Sequence, residues 1–259
     1  MFRNCSLSSF RSPRHHVVLA VQPHHSVTTE LVVVEREAFV SSAARRLVTE
    51  IRRVLESRAR CSLALSGGST PGPVYARLAA ELPDRDTWDR IDVFFGDERC
   101  VPPGDPASNY RMVKECLLDR VPVHPSQIHR MEGERPDHDA AARAYEAILP
   151  ERLDLLVLGL GGDGHIASLF PGAPSLGETR RRVLAVTTPK PPFDRLTITP
   201  PVIRVARLTI GLVAGTDKAE SLARAIDGPS APDRTPGQLA RAGLWIADSA
   251  AAARLEARR

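Results

Sequence analysis

An α/β fold built on a mostly parallel central sheet is predicted by three features of this 259-residue chain. Short runs rich in Val, Leu and Ile alternate with segments of helical periodicity, the pattern of a parallel sheet covered on both faces. Two of the apolar runs break directly into glycine turns, which places those turns at the carboxyl end of the sheet, where open α/β proteins bind ligands. No internal repeat or low-complexity linker follows residue 30, so one domain with at most a small lobe is the economical reading.

The elements can be justified in order. The first 29 residues hold Arg3, Arg11, Arg14, four histidines and no acid, and are read as an N-terminal extension, expected to be disordered. Within them VVLAVQ (17–22) is too short for a signal h-region and no cleavage site follows. His15-His16 and His24-His25 are read as solvated rather than metal-binding. The α/β domain is placed at 30–259. LVVV (31–34) reads as a strand, and Phe39, Ala43, Leu47, Ile51 and Leu55 recur every four residues, predicting a long amphipathic helix. CSLALS (61–66) is a buried strand, with a helix from the prolines at 71 and 73 to about Leu82. IDVFFGDE (91–98) is a strand broken by Gly96, followed by a polar loop through Tyr110 that is long enough to hint at function. Helices are expected over 107–118 and 138–149, and LDLLVLG (153–159) is a central strand leading through its glycine turn into a helix-like segment. RVLAVTT, RLTIT, RLTIGLV and GLWIAD are further strands; helices over 217–226 and 235–241 separate the last ones, and a short helix is expected to close the chain.

Composition narrows the class. A 42% hydrophobic and 25% charged chain is ordinary for a globular protein, and no apolar run is long enough for a transmembrane helix. The net charge of +4 suits an anionic small molecule, whereas scattered basic residues and few aromatics disfavour nucleic acid. The cysteines Cys5, Cys61, Cys100 and Cys116 form no C-x-x-C pair and no disulfide framework, so a reducing cytoplasm is the simplest compartment. Cys61, in an apolar strand, reads as core. No zinc-ligand spacing, G-x-S-x-G elbow or P-loop occurs.

Four loops carry the chemistry. In SGGSTP (66–71), Gly67, Gly68, Ser69 and Thr70 offer backbone N–H groups, hydroxyls and a helix N-terminus to an anion, against the plainer reading of a tight turn. In GDER, Asp97 could orient a histidine or a water, and Arg99 could hold phosphate. The third is Gly159–His165, with four glycines in six residues around Asp163. It matches G-x-G-x-x-G, but the acid expected about 20 residues on is replaced by threonines, and Asp163 would crowd a pyrophosphate, so a dinucleotide is disfavoured. A histidine in such a turn, His165, is a candidate base near neutral pH. The fourth comprises KPPFDRLTIT (190–199) and AGTDKA (214–219), where Lys190, Arg195 and Lys218 flank predicted junctions; each is equally read as a surface side chain.

SGGSTP, GDERCVPPGDPASNY, LGLGGDGHIASLFPG and KPPFDRLTIT, in that order, resemble the 6-phosphogluconolactonase family over roughly residues 30–250. The wider superfamily includes glucosamine-6-phosphate deaminase/isomerase, whose pattern I-A-F-N-E-P carries a glutamate where this chain has Phe170. The resemblance implies a modified Rossmann-like fold and hydrolysis of 6-phospho-D-glucono-1,5-lactone to 6-phospho-D-gluconate, a step of the oxidative pentose phosphate pathway. It implies no metal or organic cofactor, a small-molecule substrate, no nucleic acid or membrane partner, and a monomer or small homo-oligomer. Asp105 departs from the family, which often has histidine there.

The expected division of labour makes His165 the general base, with Asp163 and Asp97 orienting it or the substrate hydroxyls. Glycine-turn N–H groups, those of Gly161 and Gly162 among them, would hold the oxyanion. Arg99, Arg195, Lys218 and Ser69–Thr70 would hold phosphate or sugar hydroxyls. A deaminase and a non-catalytic sugar-phosphate sensor are the alternatives.

Overall fold

The computed structural model describes residues 17–21 and 29–256. The chain opens with β1 (Val17–Val21), β2 (Thr29–Val34) and α1 (Arg36–Ser57), which buries Phe39, Ala43, Leu47 and Ile51 along one face as their four-residue spacing predicts. β3 (Cys61–Leu65) leads to α2 (Pro71–Glu81), with Pro71 in the first turn, where no N–H is needed. A single turn, α3 (Arg85–Trp88), precedes β4 (Ile91–Phe95) and β5 (Asp97–Arg99). Then come α4 (Asn109–Cys116), α5 (His138–Ile148) and β6 (Leu155–Gly159). β7 (Val183–Thr187), β8 (Asp194–Ile198), α6 (Pro200–Val205), β9 (Leu208–Val213), α7 (Ala219–Ile226) and β10 (Leu244–Asp248) complete the order.

Six strands run parallel in the spatial order β2-β10-β9-β6-β3-β4, with β1 antiparallel on the outer side of β2. Leu155 to Leu158 in β6 are buried without interruption, as a strand covered on both faces requires. From β3 the chain moves out to β4, then returns to β6 on the other side of β3. The carboxyl ends of β3 and β6 therefore flank a topological switch point, the position where α/β sheets leave a crevice.

β5, β8 and β7 form a second, antiparallel sheet, the small lobe. Gly96 is the joint between the two: its N–H donates to Leu65 O, while its carbonyl accepts from the N–H of Ile198, each at 2.9 Å. The apolar run 91–98 is thus two strands in two sheets. α5 packs on β7 and β8.

Several expectations are corrected. No helix follows the glycine turn of β6: Ala167 takes a positive φ of 47°, residues 166 and 169 form an isolated bridge, and Pro171 disfavours helical backbone before it. The described residues beyond β10 form turns rather than the expected short helix. The segment at 235–241 is a 3-10 turn, Pro236–Ala240, and α7 is preceded by another, Thr216–Lys218. α3 and α6 were hidden by their brevity and, in α6, by paired prolines. VVLAVQ contributes β1, which covers the hydrogen-bonding edge that β2 would otherwise leave open; the remaining calls on residues 1–28, including the paired histidines, lie outside the described residues. Cys61 is fully buried and its thiol is pushed up to about 12, chiefly by that burial. No helix among the described residues is long and apolar enough to cross a membrane.

Candidate active site

The turn after β6 is closed by two backbone bonds, Gly161 N–H to His165 O and Gly164 N–H to Gly161 O, each 2.9 Å. Inside it Asp163 Oδ1 lies 2.5 Å from His165 Nδ1, and Asp163 Oδ2 accepts from Lys190 Nζ at 2.6 Å. Burial works against the Asp163 anion, but the bonds from Lys190 and His165 outweigh it and hold this carboxyl well below the usual range. An ionised carboxylate only accepts, so the Nδ1 proton sits on this bond and Nε2 carries the lone pair. Burial pushes the imidazole below the ordinary histidine value, more than the Asp163 bond and charge raise it. His165 is therefore neutral at pH 7. Gly161 is required by close approach: a Cβ there would stand 2.0 Å from Nδ1. The Phe170 ring stacks on the imidazole at 4.3 Å.

The loop after β3 forms another wall. Its helix, α2, begins at Pro71, and neither Ser69 nor Thr70 caps it with a side chain. The N–H groups of Gly67, Gly68 and Ser69 make no loop hydrogen bond, so they remain available at the start of the helix. Gly67 lies against Asn109, whose Oδ1 would be 1.7 Å from an added Cβ. Ser66 Oγ, Asn109 Oδ1 and Arg99 Nε are buried polar atoms without a hydrogen-bond partner. Buried groups of this kind are normally paired, and all three residues line the same cleft. Lys218, at 3.0 Å from the exposed Asp217, also reaches it.

The small sheet supplies the rest. Asp97 is buried and accepts from Ser168 Oγ at 2.6 Å and Asn109 Nδ2 at 3.1 Å. It faces the cleft but makes no hydrogen bond to His165, so orienting the imidazole falls to Asp163. Glu98 is turned away: it accepts from Ser108 Oγ and the N–H groups of Arg99, Asn109 and Tyr110, bracing the start of α4. Burial raises its pKa against those four bonds. Arg99 donates to Ala107 O, and Asp105 accepts from Ala107 N–H, so Asp105 shapes the loop from within. Arg195 is buried and donates to Pro192 O, Lys190 O and Ser168 Oγ. Burial lowers its pKa, with Asp97 opposing. It thus braces the β7–β8 hairpin as well as lining the cleft.

Gly67, Gly68, Ser69, Thr70, Asp97, Arg99, Gly161, His165, Arg195 and Lys218 converge on one solvent-open cleft of about 180 Å³. Asp163 stands behind the imidazole, and Gly162 lies beside Lys218, 4.0 Å from its Nζ at the Cβ position. The N–H of Gly161, expected to be available to an oxyanion, is engaged by His165 O. Sequence reasoning missed Ser66, Asn109 and Ser168 as site residues and the bond from Lys190 to Asp163. Asn109 lies in the long polar loop and Ser66 opens the SGGSTP loop, but nothing in the sequence marks Ser168 or the bond from Lys190. Among the described residues no group of three or more His, Cys, Asp or Glu side chains converges as a metal site.

Residues 34–246 match the family described as glucosamine-6-phosphate isomerases/6-phosphogluconolactonase. The chain belongs to that family. Within the glucosamine-6-phosphate isomerase/6-phosphogluconolactonase family, it is 41% identical to a 6-phosphogluconolactonase of Streptomyces coelicolor, across 89% of this chain and 96% of the relative. It is 36% identical to that of Mycobacterium leprae across 85% and 96%. Among solved structures, the 6-phosphogluconolactonase of Trypanosoma brucei superposes with a TM-score of 0.77 at 28% identity, over 89% of this chain and all of the other. A monomeric glucosamine-6-phosphate deaminase superposes with a TM-score of 0.76 at 22% identity, over 86% and 99%, which shows the shared fold alone.

Proposed function

We propose that this chain is a 6-phosphogluconolactonase that hydrolyses 6-phospho-D-glucono-1,5-lactone to 6-phospho-D-gluconate with His165 as general base. The activity rests on the likeness to lactonases across nearly their whole length. The residue roles rest on one observation: a neutral imidazole, held at Nδ1 by Asp163 at 2.5 Å, lines a cleft with buried polar atoms still unpartnered.

Nε2 of His165 takes a proton from water as the water oxygen attacks the lactone carbonyl. The oxyanion is held by free backbone N–H groups, those of Gly67 and Gly68 being open and Gly161 being closed. The imidazolium, stabilised by Asp163, returns its proton to the ring oxygen as the C1–O5 bond breaks. Lys218, Arg99 and the Ser69–Thr70 hydroxyls at the start of α2 receive the phosphate, with Asp97 and Asn109 left for sugar hydroxyls. The lactone is a reactive ester, so acid–base help of about 10²–10⁴-fold suffices. At the position where the deaminase pattern carries glutamate stands Phe170, buried and without acid–base capacity.

A coupled assay on fresh lactone, corrected for spontaneous opening, tests this. His165→Ala is expected to fold normally, bind product and lose about 10²–10⁴-fold in kcat; turnover near wild type would remove His165 from the mechanism.

A further inference from the structure

Phe170 is only 3% exposed, although two cationic side chains stand over its ring. The left-handed Ala167 and the bridge between residues 166 and 169 fold the chain back, so that residue 170 returns to residue 165. There the two rings lie 4.3 Å apart and 19° from parallel. Lys190 Nζ and Arg195 Cζ each sit 5.7 Å from the centroid of the same phenyl ring. One side chain thus touches the base, the lysine behind its carboxylate and the arginine bracing the hairpin.

A hydrogen bond at Nδ1 fixes one point of the imidazole but leaves the ring free to rock about it. Contact across the whole face removes that freedom and excludes water from it. We infer that Phe170 is a positioning residue: its ring sets the plane of the His165 imidazole and shields one face, keeping Nε2 aimed into the cleft. The inference rests on the reading of His165 as base. It also gives position 170 a use in lactone hydrolysis that an acid there could not supply.

The charged groups around the imidazole are Asp163 at Nδ1, Lys190 behind it, Asp97 in the cleft and Arg195 at the phenyl ring. With these unchanged, replacing the ring by leucine admits water to His165. That relieves the burial holding its pKa down, so the acid limb of kcat/KM moves to higher pH.

The test compares Phe170→Leu, which keeps apolar bulk, with Phe170→Tyr, which keeps the ring. Phe170→Leu is expected to lose about ten- to a hundredfold in kcat with little change in KM, and to shift its acid limb upward. Phe170→Tyr should retain both. Wild-type kcat and an unmoved limb in Phe170→Leu would overturn the proposal. If the leucine variant does not fold, the wild-type enzyme decides: the carbon-bound ring protons of His165, assigned by their loss in His165→Ala, should resonate upfield through the phenyl ring current. Unshifted resonances would equally overturn it. The two readings fail separately, because an active His165→Ala removes the base, whereas a normal Phe170→Leu removes only its partner.

Discussion

The turn after β6 and the loop after β3 meet at the same cleft, yet they are finished to different degrees. In the first, Gly161 and Gly164 close the backbone, Asp163 accepts from both His165 and Lys190, and Phe170 covers the imidazole. In the second, the Gly67 and Gly68 N–H groups and Ser66 Oγ have no partner, and Asn109 Oδ1 beside them is equally bare. The contrast separates two tasks. A base must be oriented before substrate arrives, because orientation gained during reaction is lost from the rate. Groups that bind substrate must be left unsatisfied, because a donor already paired inside the protein gains little from a ligand.

Breaking the finished side should act on kcat. Asp163→Asn replaces the acceptor at Nδ1 with an amide and releases Lys190, and kcat is expected to fall about a hundredfold, or ~2.7 kcal/mol in the barrier. Its pH dependence has a definite sign. On the proposal that His165 is the base, the neutral imidazole is the active form, so activity rises with pH through the His165 pKa, which lies below the usual 6.5. Asp163 raises that pKa, so the surviving activity of Asp163→Asn should keep its acid limb at still lower pH. A pH profile of kcat/KM checks both the size and the direction.

Removing the side chains proposed to bind phosphate on the open side should act on KM. Lys218→Ala removes a cation from the rim and is expected to raise KM about tenfold with kcat nearly intact, the effect shrinking as ionic strength rises. Steady-state kinetics at two salt concentrations measure it. The double change Ser69→Ala with Thr70→Ala should be smallest, about threefold in KM, since hydroxyls add neutral hydrogen bonds to charge already supplied. A kcat loss larger than the KM change in either variant would erase the distinction between the two loops. Arg195→Ala would blur it, because that side chain also holds Pro192 O and Lys190 O in the hairpin.

The ordered elements were legible where periodicity is strong. The recurrence in α1 and the continuous apolar run of β6 gave type and position together, since each pattern matches one backbone geometry. Short elements failed for the same reason: α3 and α6 carry too few residues to show a period, and the segment after His165 looked helical until Ala167 and Pro171 turned it. The candidate site was legible as loops but not as contacts. His165, Asp163 and the Ser66–Thr70 loop stand out by their glycines, whereas Asn109 reaches the cleft, Ser168 reaches Asp97 and Lys190 reaches Asp163 from distant segments.

Residue order alone determined that this chain is an α/β protein with glycine turns at strand ends, and that one of them holds a histidine beside an aspartate. Those facts follow from local periodicity and from the few residues able to make tight turns. Only the tertiary structure decided which nitrogen of His165 is free, that Asp97 faces the cleft while Glu98 braces α4, and that Phe170 lies on the imidazole. These depend on hydrogen bonds and ring contacts between segments far apart in sequence, which exist only after β3, β6 and the small sheet have packed together.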